Sequence, residues 1–142
     1  MRRFYCVGCI ALRAGTRKSA ASCGPDHNLR VSAKPGPRLS HNVYVVELDP
    51  AVLKFRAFRA RNRGHIKGMP CVYVGMTGLP PGERFQNHRA GVRANRFVRD
   101  FGIGLLPELF ECYNPMPFEA AEAMEIELAE DLRAKGYAVW QG

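Results

Sequence analysis

Two short runs of β-branched and aromatic residues set the strongest limit on what this chain can become. Val43-Tyr44-Val45-Val46-Glu47-Leu48 stops at Asp49-Pro50, and Cys71-Val72-Tyr73-Val74-Gly75 stops at the Thr77-Gly78 turn. Such residues favour a pleated backbone, and the turn signals end each run at strand length. Both are read as strands, and a sheet built on them needs helices packed against it. The connection between them is unusual. Residues 54–67 carry six Lys/Arg and no acid, with room for a short helix inside a basic loop.

Beyond the second strand, Pro80-Pro81-Gly82-Glu83 marks a helix entry, with prolines where no backbone donor is needed and an acid in the first turn. The helix is expected over residues 81–90 and ends at Gly91. A second, over 95–101, places Phe97, Val98 and Phe101 on one side and stops at Gly102. Residues 105–113 are read as a third strand, with Pro107 confined to its beginning or edge. A long helix over 118–135 ends at Gly136, and residues 137–140 have the character of a short further strand. The expected order is β-β-α-α-β-α, an α/β fold with a small three-stranded sheet flanked by helices.

This domain is assigned to residues 41–142, and a chain of 142 residues with 46% hydrophobic content allows one core. Residues 1–40 lack periodicity, are rich in Gly, Pro, Ser, Ala and Arg, and read as a basic, disordered extension. They hold eight Lys/Arg against one acid, a balance of +7, whereas residues 41–142 hold thirteen against twelve, a balance of +1. Most of the net charge of +8 is therefore a property of the extension. Within it, Cys6, Cys9, Cys23 and His27 have a spacing that superficially suits tetrahedral zinc, without any strand or helix pattern to hold the ligands. Five cysteines form no obvious disulfide framework, which points to a reducing, cytoplasmic setting. The apolar run after Met1-Arg2-Arg3 is broken by Arg13, Arg17 and Lys18 before any cleavage site, the wrong order for export. No apolar stretch approaches the ~20 residues of a spanning helix, so no membrane role is expected.

The long helix carries six acids, and helical geometry separates them. At ~100° per residue from Ala121, Leu128, Leu132, Phe118 and Met124 define an inward stripe, and Glu125 falls inside it at about +40°. Glu119, Glu127 and Glu130 fall well outside, with Glu122 and Asp131 at the edges. A carboxylate on an apolar face needs a cation, a hydrogen bond or a metal. By geometry alone an ion pair with an arginine and a catalytic or metal-binding role stand about even. Arg84 and His88, four apart on the first helix after the sheet, share a face and suit phosphate contact and proton handling, although a solvated pair is the commoner outcome. Tyr44 and Tyr73 in the strands are, taken singly, ordinary core tyrosines.

Taken in order, Asn42-Val43-Tyr44, Tyr73-Val74-Gly75-x-Thr77, the Arg84-x-x-x-His88 helix and Glu125 in A-x-x-M-E-x-x-L resemble the motifs of the GIY-YIG nuclease superfamily over residues 43–136. The passage from Tyr73 to His88 carries most of the specificity. Asn42 stands where the family usually has glycine, the stretch between the tyrosines is long, and no asparagine follows Glu125 where many members place one. The resemblance implies a metal-dependent endonuclease that hydrolyses nucleic-acid phosphodiesters, DNA ahead of RNA. Tyr44, Tyr73, Arg84, His88 and Glu125 are then the catalytic set, with Glu125 as the ligand of a magnesium or manganese ion. Tyr44, with Tyr73 nearby, orients or deprotonates the attacking water, and Arg84 neutralises phosphoryl charge. Gly75 and Thr77, with Arg56, Arg59, Arg89, Arg93 and Arg96, are expected to bind substrate; Arg99 and the other cations of residues 54–67 extend that surface. The alternatives are an inactive nucleic-acid-binding module of the same fold and a small protein-interaction domain.

Overall fold

The computed structural model describes residues 35–142. The arrangement of Cys6, Cys9, Cys23 and His27 lies outside them, as does nearly all of the basic extension. Strand β1 (Asn42–Leu48) pairs antiparallel with β2 (Cys71–Thr77) along its full length, Asn42 opposite Thr77 and Leu48 opposite Cys71. These two central strands bury Val43, Val45, Val46, Val72 and Val74 completely, which is why their sequences are apolar on both faces.

Two further strands widen the sheet to four, in the order β3-β1-β2-β4. Strand β3 (Gly102–Leu105) lies antiparallel on the open edge of β1, and β4 (Ala138–Gln141) runs parallel to β2. The expected three-stranded sheet is thus corrected in two places. Of residues 105–113, Leu105 ends strand β3 and 106–113 do not form a strand. Pro107 has no N–H to give to a ladder, and the chain from there makes two 3-10 turns, Pro107–Leu109 and Glu111–Tyr113. The strand precedes them, where Gly102 and Gly104 dilute the sequence signal. The closing residues form a true strand because the turn at Gly136, with φ 95°, returns the chain to the β2 edge.

Four helices complete the fold: α1 (Arg56–Ala60), α2 (Pro81–Arg89), α3 (Arg96–Phe101) and α4 (Phe118–Ala134). The short α1 within the basic connection exists to bury Phe58, which joins Phe97 and Trp140 in an aromatic cluster. Helix α4 packs Ala121, Leu128, Ala129 and Leu132 inward as its periodicity requires. Phe118, expected in the same stripe, is exposed and meets only the His41 ring edge-on among aromatic neighbours. The observed order, 3-10 turns apart, is β-α-β-α-α-β-α-β.

Polar side chains close gaps that the strands leave. Asn114 donates from Nδ2 to the carbonyl of Val43 and accepts the Val43 N–H at Oδ1, taking the place of a strand neighbour beyond the reach of β3. Buried Asn62 does the same at the other edge, donating to Phe58 and accepting from the Val139 N–H at 2.7 Å. Cys71 is free and buried. Among the described residues no helix is long and apolar enough to cross a membrane.

Candidate active site

Strand register brings the two tyrosines together. Tyr44 lies opposite Gly75 and Tyr73 opposite Val46, so residues two apart on paired strands project to one face. The rings of Tyr44 and Tyr73 sit 5.9 Å apart, and each contacts the His88 ring from α2. Gly75 makes this possible. A Cβ there would fall 2.8 Å from the Tyr44 hydroxyl and 2.9 Å from the Tyr73 ring, so the position is bare because the phenols fill its space. The expected substrate-binding role for Gly75 is thereby joined to a structural one.

His88 is fully buried, and its hydrogen bonds fix its tautomer. The Asn95 backbone N–H donates to Nδ1 at 3.1 Å, so Nδ1 carries no proton. Burial, and then the charge of Arg84, hold the ring's pKa down to about 4, so the imidazole is neutral near pH 7. Its single proton is on Nε2, which donates to the Tyr44 hydroxyl at 2.8 Å. Burial raises Tyr44 above its usual range, and Tyr73 and the charge of Arg84 partly offset this. Tyr73 is pushed up too, by burial first and then by Tyr44 and Glu125. The two phenols are therefore unequal: Tyr44 has neighbours that favour its ionised form, and Tyr73 keeps its proton.

Glu125 points inward, as its helical angle predicts, and is almost fully buried, while the other five acids of α4 are exposed. Among the described residues it makes no salt bridge. The Gln141 carboxamide at the end of β4 donates to its Oε1 at 3.2 Å, and the Met76 backbone supports its charge. Burial nonetheless raises its pKa, and its field reaches both phenols. Gln141 carries no periodic or motif signal in the sequence; only the return of β4 beside β2 brings it here.

Arg84 is half-buried and serves two neighbours at once. Its guanidinium acts on Tyr44 and also donates to the carbonyls of Arg93 at 3.0 Å and Val92 at 3.5 Å. With His88 gripping Asn95, these two residues of one helix face fasten the whole α2–α3 loop. Thr77 is buried, and its hydroxyl accepts the Leu79 N–H. Asn42, at the position where glycine was the family expectation, donates to the Leu79 carbonyl and ties the β2–α2 turn to β1.

The other expected substrate contacts are scattered. Arg93 lies beside Arg84 in a cleft of about 580 Å³. Arg59 is turned onto the carbonyls of Leu53 and Lys54, and Arg89 lies over Phe85. Arg96 covers Phe55 and Phe97, and Arg56 is exposed. Arg99 is paired with Asp100. Among the described residues no three His, Cys, Asp or Glu side chains cluster to enclose a metal. The buried Glu125 carboxylate, with Gln141 on one oxygen, offers one protein oxygen ligand, and magnesium takes one or two protein carboxylates beside substrate phosphate and water. No protein-family model, curated protein or solved structure matches the chain.

Proposed function

We propose that this protein is a divalent-metal-dependent endonuclease of GIY-YIG type, acting on nucleic acid and on DNA ahead of RNA. One observation carries the reading. The Tyr44 hydroxyl, buried beside the Tyr73 ring, accepts the Nε2–H of His88 at 2.8 Å, and the charges of Arg84 and of a buried carboxylate that makes no salt bridge among the described residues both act on it. A buried phenol held by a neutral imidazole beside a guanidinium's charge suits a group that carries negative charge during its work.

Tyr44 first releases its own proton to bulk water, and the phenolate then takes one proton of the attacking water as the water oxygen bonds to phosphorus and the bond to the leaving oxygen breaks, the leaving oxygen taking a proton from solvent. Arg84 faces the phosphoryl charge that grows in this step. Tyr73 and His88 hold the Tyr44 oxygen in place and stabilise its ionised form. Glu125, braced by Gln141, would hold magnesium or manganese, which would supply positive charge to the reacting phosphate. Cleavage of plasmid, single-stranded and branched DNA with magnesium or manganese tests the proposal, with Glu125→Gln as the control. The variant keeps the fold and loses cleavage; turnover equal to the parent chain removes Glu125 from the reaction.

A binding module of the same fold without turnover is the second reading. It is favoured by Arg84, whose amino groups face loop carbonyls. Binding of DNA with no cleavage by the parent chain under any metal decides for it.

A further inference from the structure

The cleft beside Arg84 is walled by the β2–α2 turn on one side and the α2–α3 loop on the other. It is lined by Met76, Thr77, Leu79, Arg84, Asn87, Val92 and Arg93, with Gly78 in the turn, and no acid borders it. Its volume of about 580 Å³ falls in the range of small-molecule sites. Each wall offers an exposed apolar side chain, Leu79 at 37% and Val92 at 53% exposure. Asn87 of α2 and two arginines, Arg84 and Arg93, line the same space.

This is the chemistry of a nucleotide: an anion for the arginines, a flat apolar body for two facing aliphatic side chains, and polar ring edges for a carboxamide. The loop is also held in an unusual form for the purpose. Arg93 is the non-glycine residue with a left-handed backbone among the described residues, at φ 45°, and its carbonyl is fixed by Arg84. That fastening keeps Val92 and the Arg93 side chain beside the cleft.

We propose that this cleft seats one unpaired nucleotide of the DNA strand, next to the phosphate held by Arg84. Leu79 and Val92 enclose the base, Asn87 hydrogen-bonds its edge, and Arg93 takes the flanking phosphate. The inference rests on the nuclease reading for its substrate. A base stacked within a duplex does not enter such a cleft, so the preferred substrates carry a single-stranded or unpaired position at the cut.

The test uses the full chain without metal, so that binding is read apart from cleavage. The probes are a short single-stranded oligodeoxynucleotide carrying one fluorescent adenine analogue and the blunt duplex of the same sequence, compared at one fixed salt concentration. The parent chain binds the single strand more tightly and changes its fluorescence. Asn87→Ala and Val92→Asp, both away from the core, weaken that binding roughly five- to tenfold and leave the duplex affinity nearly unaltered. Equal affinity of the parent chain for the two probes, or variants that bind the single strand as the parent does, overturns the cleft even if the protein cleaves DNA. Selective single-strand binding lost in both variants, without cleavage by the parent chain in magnesium or manganese, keeps the cleft and rejects the hydrolytic reading.

Discussion

Replacing Gly75 by alanine reverses the sign that strand energetics would give. Glycine inside a strand is less stable than alanine by about 0.5–1 kcal/mol, so an unobstructed Gly→Ala change stabilises. Here the new methyl group meets the Tyr44 Cζ at 2.9 Å, its hydroxyl at 2.8 Å and the Tyr73 ring at 2.9 Å. Neither ring has space to yield, because Tyr44 is 1% and Tyr73 5% exposed. Forcing a methyl group into a packed core costs about 1–3 kcal/mol. Tilting Tyr44 away also strains its hydrogen bond to His88, a loss of about 1 kcal/mol. After subtracting the gain from removing glycine, the net loss is about 1–3 kcal/mol. For a domain of this size that lowers the melting midpoint by roughly 5–20 °C. Calorimetry or thermal circular dichroism reads it, with nuclease activity measured well below the midpoint, where displaced phenols reduce kcat rather than weaken DNA binding. A variant as stable as the parent chain, or more stable, refutes the assignment of Gly75 as the space occupied by Tyr44.

Stability depends on acid through His88, whose pKa is lowered from 6.5 to about 4 by burial. The unfolded chain binds a proton that the folded ring refuses, so stability is full above about 6.5 and falls as pH drops toward 4. Urea unfolding midpoints across that window, compared with His88→Gln, check it; equal slopes in the two chains refute it. Gln141→Leu removes the donor that favours the charged form of Glu125, so the acidic limb of the cleavage profile moves to higher pH. An unmoved limb with a lower rate assigns Gln141 a packing role only. Asn62→Ala leaves the Val139 N–H without its partner and destabilises by about 1–3 kcal/mol, read by urea denaturation.

The sequence made some parts of this fold plain and hid others for identifiable reasons. Strands β1 and β2 were legible because β-branched runs end in turn signals, and α2 and α4 because proline entry and apolar period agree over their length. The inward angle of Glu125 needed only helical geometry. Strand β3 was misplaced because two glycines carry no side-chain pattern, while the apolar residues after Pro107 mimic a strand. The parallel pairing of β4 is a tertiary event, and with it came Gln141. Asn62 and Asn114 resemble loop residues until their backbone partners are known. The contacts that Arg59 and Arg96 make with carbonyls and aromatic rings were not legible in the sequence, because charge counting does not show which neighbours a guanidinium meets.

A guanidinium has five N–H groups in a rigid fork, whereas an ammonium has three on one atom. Two of the five at Arg84 brace the loop carbonyls of Val92 and Arg93. On the nuclease reading, the remaining N–H groups are left to act on Tyr44 and to meet a phosphate without dismantling that brace. A lysine there keeps the charge yet would have to choose between restraining the loop and gripping a phosphate, so on that reading valence rather than positive charge is what is asked of residue 84.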